Sequence, residues 1–92
     1  MVSTMWVTRG GQRTLAVVPT AAHRRHPTMS WAQAGWRDVV RREPAADTPG
    51  MREQYVCHAL FAPTKARWYL EPWRPAGTLA QVVAQRCNVK NG

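Results

Sequence analysis

The fold class is decided by one segment near the start of the chain, Met5-Trp6-Val7-Thr8-Arg9-Gly10-Gly11-Gln12-Arg13-Thr14-Leu15-Ala16-Val17-Val18. Two runs rich in apolar and β-branched residues flank the pair Gly10-Gly11. Glycine reaches the positive φ angles that a tight type I′ turn requires, so this pattern is typical of a β-hairpin. We therefore predict two antiparallel strands, over residues 5–9 and 12–18.

The next segment with a regular pattern indicates a helix. Ser30 and Gln33 have the spacing of a capping box, in which side chains and backbone satisfy the free amide groups at a helix start. Apolar side chains then recur at helical spacing until Pro44 ends the pattern. We predict a helix over residues 31–42, with a buried face formed by Ala32, Trp36, Val39 and Val40.

Two shorter helices are predicted in the second half of the chain. One begins after Thr48-Pro49, because proline is tolerated in the first helical turn, and it is interrupted by Pro63. The other begins at a second capping box, formed by Thr78 and Gln81, and ends at Cys87. The sequence therefore predicts about three short helices after the hairpin.

The remaining segments carry weaker signals. Residues 64–71 fit either a short helix or an extended segment, and residues 19–28 form a cationic loop without periodicity. The predicted fold class is α+β, an N-terminal β-hairpin followed by about three short helices and stapled by one disulfide. We expect one small domain over residues 1–92, with residues 1–4 and 89–92 frayed.

Size and composition restrict the class of protein. A chain of 92 residues and 10.4 kDa makes one domain with a thin core. Leu and Phe are scarce and Ile is absent, so the five Trp residues must supply much of the buried area. The longest strongly apolar run, residues 15–19, is far short of the roughly 20 residues that cross a membrane.

The two cysteines, Cys57 and Cys87, favour one structural disulfide, because a thin core needs a covalent constraint. Free buried thiols and a metal site are the weaker alternatives. A disulfide implies an oxidising compartment, so we expect a secreted or cell-envelope protein. Residues 1–5 carry no signal-peptide features, so an exported protein would have this chain as a mature segment.

The charge favours an anionic partner. The net charge is +8, and all but two of the 13 cationic residues are Arg. Such a surface attracts nucleic acid, anionic lipid or an acidic polymer, although solvated charge without a partner is the alternative. The candidate binding surface consists of Arg24, Arg25, Arg37, Arg41, Arg42 and Arg52.

One group of residues has the chemistry of a metal-independent ribonuclease. His58 and Glu71 could act as general acid and base, and Lys65 with Arg74 could hold the phosphate. The alternative is structural: Glu71 pairs with a cation to hold a proline-rich loop, and His58 bonds to nearby backbone. Trp68 and Trp73 likewise form either a stacking platform for bases or sugars or part of the core.

No motif for a cofactor or metal is present. The sequence lacks a glycine-rich phosphate loop, a nucleophile elbow, a paired-histidine metal helix and a dinucleotide fingerprint. Ser3 and Ser30 are its only serines, one near the terminus and the other a predicted helix cap, which argues against a serine hydrolase. We expect no cofactor and no metal.

A longer pattern extends over the second half of the chain. Its residues are Gly50-Met51-Arg52, Gln54-Tyr55, Cys57-His58, Phe61-Ala62, Lys65, Leu70, Trp73-Arg74-Pro75 and Cys87-Asn88. This pattern resembles that of small exported actinobacterial proteins grouped as domain of unknown function 2599, and the resemblance implies export and a disulfide but no activity. The departures from the family pattern are Tyr69, Ala76-Gly77 and Val89.

Two functions follow from these observations. The first is an exported, disulfide-stapled basic domain without enzymatic activity, which binds an anionic polymer, an envelope component or another protein. The alternative is a small secreted toxin or effector with ribonuclease-like chemistry. The sequence does not predict an oligomeric state.

Overall fold

The structure, a computed structural model, describes residues 2–87. The predicted α+β class is confirmed, with the hairpin first and the helices after it. Residues 89–92, which were expected to fray, lie outside the described residues, as does Met1. In chain order the elements are β1 (Val2–Arg9), β2 (Gln12–Pro19), α1 (Ala21–Arg24), α2 (Met29–Arg42), a 3₁₀ turn (Pro44–Ala46), α3 (Met51–Phe61), β3 (Trp68–Leu70) and α4 (Leu79–Ala84).

The hairpin forms around the predicted glycine pair and is longer than predicted at its open end. β1 and β2 pair antiparallel along their whole length, and Arg9 pairs with Gln12 beside the turn. Gly10 and Gly11 have φ angles of 57° and 78°, which lie in the left-handed region that glycine enters without steric cost. The two-residue turn therefore sets the register of the sheet.

The start of β1 is held by the buried carboxylate of Asp38 in α2. The prediction that residues 2–4 fray is wrong, because they pair with β2 and the Val2 N–H donates to Asp38 at 3.1 Å. The carboxylate also accepts hydrogen bonds from Arg41 and Arg42. Burial raises the pKa of Asp38, but the hydrogen bonds outweigh burial and lower it to about 2. Asp38 is therefore ionised at neutral pH and ties the strand to the helix.

The segment over residues 64–71, ambiguous in the sequence, supplies the third strand. β3 pairs antiparallel with β2, with Leu70 opposite Leu15, and the strand order is β1-β2-β3. Trp68 and Leu70 point to the same face of the sheet as Leu15, and all three are buried. A strand of three residues is stable only because β2 already offers a free edge.

Helix α2 begins at Met29, two residues before its predicted start. Thr28 is its N-cap, with extended backbone and a hydroxyl that accepts the Trp31 N–H at 3.3 Å. The predicted capping box at Ser30 and Gln33 is therefore wrong. Thr28 provides the same type of acceptor earlier in the chain, and Ser30 falls inside the first turn.

The cationic loop over residues 19–28 contains a further short helix, so the prediction of a loop throughout this segment is wrong. This helix, α1, buries His23 completely, and the His23 Nε2 atom lies 2.8 Å from the Tyr55 hydroxyl. Gly35 of α2 makes room for both side chains, because a Cβ there would lie 2.2 Å from the Tyr55 hydroxyl oxygen. Any larger residue at this position would displace the pair.

The hydrophobic core lies between one face of the sheet and the helices α2 and α3. The predicted apolar face of α2 is buried, with Trp36 only 6% exposed, and Val40 packs against the edge of the core. The aromatic rings of Tyr55 and Trp68 meet edge to face, with ring centres 5.6 Å apart. These rings supply buried apolar area that Leu and Ile side chains provide in most domains.

Helix α4 is attached by the predicted disulfide. Cys57 of α3 is bonded to Cys87, with their Cα atoms 5.6 Å apart, and Val82 packs beside the bond. The capping box of Thr78 and Gln81 is confirmed. The helix ends at Ala84 rather than at Cys87, because the backbone enters the left-handed region just before the bond.

Removing the disulfide should destabilise the domain strongly. Cys87→Ser opens a loop of about 30 residues, so we expect the free energy of unfolding to fall by about 2–5 kcal/mol in urea denaturation. Cys57→Ser and the reduced wild type should match it, since each removes the same bond. Equal stability of oxidised and reduced protein would contradict the stabilising role of the bond.

Candidate functional site

A cleft lies where the end of α3, strand β3 and the turn of the hairpin meet. It brings together three of the four predicted catalytic residues, and the fourth, Arg74, donates to the Glu71 carboxylate at 2.6 Å beside it. The cleft is therefore built from segments more than 60 residues apart in the chain. Its volume is about 270 Å³, and the residues that line it are Arg9, His58, Lys65, Arg67, Tyr69 and Glu71.

His58 lies in the last turn of α3 with its ring orientation fixed. Its Nδ1 atom lies 2.7 Å from the backbone carbonyl of Gln54, and a carbonyl can only accept, so Nδ1 carries the hydrogen. In the neutral ring the lone pair is then on Nε2. Burial lowers the pKa of His58, and the charge of Lys65 lowers it further, against the opposing effects of the Gln54 bond and Glu71. A ring held in this way can accept a proton or a hydrogen bond at Nε2.

Gln54 positions both ends of the cleft. Its side chain is 2% exposed and makes two hydrogen bonds to one residue, donating to the Glu71 carbonyl at 2.9 Å and accepting the Glu71 N–H at 2.8 Å. This pairing resembles one step of a β-ladder and fixes the end of β3 against α3. Our sequence reasoning assigned no role to Gln54. The available signal was a polar residue one helical turn before His58, on the buried side of α3.

Cations dominate the electrostatics of the cleft. The Arg9 guanidinium stacks on the Tyr69 ring, with its carbon 3.8 Å from the ring centre. A hydrogen bond from Arg67 lowers the pKa of the Tyr69 hydroxyl, and the charges of Arg67 and Arg9 add to this. Lys65 is exposed and forms no ion pair within residues 2–87. Glu71 is the one carboxylate lining the cleft, and Arg74 already binds it.

Arg9 was not among the candidates drawn from the sequence. Arg9 is the last residue of β1. It reaches the cleft only because β3 pairs with the edge of β2 opposite to β1. Nothing local in the sequence signals this approach. Its position follows from the tertiary pairing of Ala16 with Tyr69, which places β3 beside the hairpin turn.

The two candidate tryptophans have different environments. Trp68 is 1% exposed, and its indole N–H donates to the Ala62 carbonyl at 3.0 Å. It therefore belongs to the core, which was the alternative to a stacking platform. Trp73 is 38% exposed, with the Arg74 guanidinium carbon 4.4 Å from a ring centre. Only Trp73 of the pair is therefore accessible for stacking.

The other candidate arginines lie away from the cleft. Arg41 and Arg42 bind the Asp38 carboxylate, and Arg52 lies 3.4 Å from Glu53 on α3. Arg37 lines a separate cavity of about 440 Å³ beside α2. Arg24 and Arg25 belong to α1 and to the residue after it.

Neither a metal centre nor a membrane-spanning helix is found in the part of the chain that the structure describes. Over residues 2–87, no three His, Cys, Asp or Glu side chains come together as metal ligands. Within the same residues, no helix has the length and apolar character needed to cross a membrane.

The sequence matches the family described as "Protein of unknown function (DUF2599)" over residues 1–90. The chain belongs to this family. It is 39% identical to the uncharacterised proteins Rv0477 of Mycobacterium tuberculosis and Mb0487 of Mycobacterium bovis, over 92% of this chain and 62% of theirs. The uncharacterised protein ML2452 of Mycobacterium leprae is 35% identical over 67% of this chain and 54% of its own.

The chain thus spans about three-fifths of the length of the first two relatives. The resemblance drawn from the sequence pattern is confirmed by the family match. No solved structure matches this chain. The geometry of the cleft is therefore the basis for a proposed function of this chain.

The two charges beside His58 should move its pKa in opposite directions. Lys65→Gln removes a positive charge, so we expect the pKa of His58 to rise. Glu71→Gln removes a negative charge, so we expect it to fall. Nuclear magnetic resonance titration of the imidazole measures both. The same direction in both variants, or no change in either, would contradict the arrangement of the cleft.

Proposed function

We propose that this protein is an exported, disulfide-linked basic domain whose cleft binds an anionic ligand carrying phosphate groups, such as an anionic polymer or an envelope component. The observation that carries the proposal is the convergence of Arg9, Lys65 and Arg67 on one cavity. Guanidinium and ammonium groups facing one space repel each other, so an anion bound between them gains from all three.

The surroundings of the cleft favour the same class of ligand. Its one carboxylate, Glu71, is bound by Arg74 and offers little repulsion to an anion. The net charge of +8 attracts polyanions at long range, and the arginines outside the cleft add to this attraction. Those arginines, named above as the candidate binding surface, are proposed to add to the long-range attraction without touching the ligand, so removing any single one of them should change the affinity little.

Two findings support export. The Cys57–Cys87 disulfide is compatible with an extracytoplasmic location, because the cytosol keeps most thiols reduced. The family resemblance that the sequence carries also implies export. Partners outside the membrane, whether polymers or proteins, would then be accessible to the cleft.

Binding of long-chain inorganic polyphosphate tests the proposal. We expect the logarithm of the binding constant to fall linearly with the logarithm of salt concentration. Arg9→Gln, Lys65→Gln and Arg67→Gln should each weaken binding and reduce that slope by about one. Arg25→Gln and Arg52→Gln are matched controls, because both arginines are exposed and lie outside the cleft.

The controls decide where the ligand binds. A loss in the cleft variants with little change in the controls supports the proposal. Equal losses of affinity in the cleft variants and in the controls would mean that the ligand binds through the general surface charge, which would overturn the role of the cleft. Affinity weaker than about millimolar at low salt would overturn anion binding altogether.

A second candidate function is metal-independent cleavage of RNA, and the fixed ring of His58 favours it. The Nε2 lone pair could take the proton of a ribose 2′-hydroxyl, whose oxygen attacks the phosphorus while the 5′-oxygen leaves. The leaving 5′-oxygen would then take its proton from solvent water. Glu71 is held by the Arg74 guanidinium at 2.6 Å, which suits an acceptor better than a donor, so binding remains the first proposal.

Incubation of single-stranded RNA with the protein in a chelator tests this second function. Cleavage should leave 2′,3′-cyclic phosphate ends, and His58→Ala should slow it by about 10²- to 10⁴-fold. Arg52→Gln is the control, because it lies outside the cleft. RNA that remains intact, and harmless expression in a cytoplasm, would exclude the ribonuclease or toxin function.

A further inference from the structure

The cleft adjoins two further cavities, and the three together are called the groove. On one side the cleft shares Arg9 and Glu71 with a cavity of about 470 Å³, whose wall also includes Trp73 and Arg74. On the other side it adjoins a further space of about 340 Å³.

That third cavity shares His58 and Lys65 with the cleft. Its remaining wall is largely apolar, formed by the Cys57–Cys87 bond, Phe61, Ala62 and Val83, with one cation, Arg86. Because each neighbouring pair of cavities has two residues in common, the three lie side by side along the surface. The groove has a largely apolar end, a cationic centre and an end that contains an indole.

Exposed aromatic side chains mark the two ends. Phe61, the last residue of α3, is 63% exposed, and Trp73 is 38% exposed. A large apolar ring left in water costs free energy, so a ligand that covers these two rings gains by burying them. Stacking of flat, weakly polar rings against them would remove that surface from water.

We propose that the groove binds single-stranded nucleic acid, with a phosphodiester in the central cleft and one base against each of Phe61 and Trp73. This inference rests on the proposed anion-binding function and names its ligand class. Aromatic platforms beside a cationic track are how proteins bind single strands without reading the sequence. The Arg74 guanidinium, which lies over the Trp73 ring, adds charge beside the base.

Other polyanions fit the groove less completely. A duplex keeps its bases stacked inside the helix, where Phe61 and Trp73 cannot reach them. Polyphosphate and acidic polysaccharides offer charge to Arg9, Lys65 and Arg67 but no flat ring to the aromatic ends. A single strand offers both, since its exposed bases alternate with phosphates along the chain.

Fluorescence anisotropy with a labelled oligothymidylate tests the inference. DNA is the probe because it lacks the 2′-hydroxyl and is not a substrate for the second candidate function. We expect it to bind at least about tenfold more tightly than an abasic strand of equal length, since base stacking contributes to each contact. Duplex DNA of the same length should bind more weakly than the single strand.

Variants assign the contacts. Phe61→Ala and Trp73→Ala should each weaken binding of the oligothymidylate about fivefold to a hundredfold and leave binding of the abasic strand unchanged. Trp73→Phe should retain most of the affinity, because it keeps a ring. Met5→Ala and Met29→Ala are the controls, since both residues are exposed and apolar but line none of the three cavities.

The outcomes separate the two proposals. If the abasic strand or the duplex binds as tightly as the oligothymidylate, and Lys65→Gln weakens both, the stacking inference is overturned and the anion-binding cleft stands. If neither DNA nor polyphosphate binds, the proposed function fails and the inference fails with it. Selective losses in the Phe61 and Trp73 variants support both.

Discussion

The pairing of the Gln54 side chain with the backbone of Glu71 is the interaction on which the cleft depends. An unpaired amide at a position 2% exposed would cost about 1–3 kcal/mol, so the chain must place a donor and an acceptor opposite it. Glu71, the residue that follows β3, supplies both. The backbone carbonyl of Gln54 also fixes the ring of His58. One buried glutamine thus fixes both the imidazole of His58 and the backbone of Glu71.

The rest of the fold brings cations to that pair. The hairpin turn carries Arg9 to the cleft, and the segment that leads into β3 carries Lys65 and Arg67. The Cys57–Cys87 disulfide holds α4 against α3 and closes the apolar end of the groove. A domain with few aliphatic residues is thereby held in shape by aromatic packing, one covalent bond and a few buried polar contacts. Its surface carries the net positive charge.

The parts of the fold with local signals could be predicted from the sequence, and the parts that depend on tertiary pairing could not. Gly10-Gly11 specifies a turn, and Thr78 with Gln81 specifies a helix start, through contacts a few residues apart. β3 has only three residues and forms because β2 has a free edge, so no local sequence pattern predicts it. Arg9 illustrates the same limit for the site. Its place in the cleft depends on a strand about 60 residues away, whereas the chemistry of His58 and Lys65 could be inferred from residue type.

The most direct test of the central claim is a nitrogen-15 spectrum of the His58 imidazole at neutral pH, recorded before and after addition of inorganic tripolyphosphate. We expect a neutral ring with its hydrogen on Nδ1, held by the Gln54 carbonyl, and a shift of the Nε2 resonance as the anion fills the cleft. A ring with its hydrogen on Nε2, or an Nε2 resonance that does not move at saturating tripolyphosphate, would contradict it.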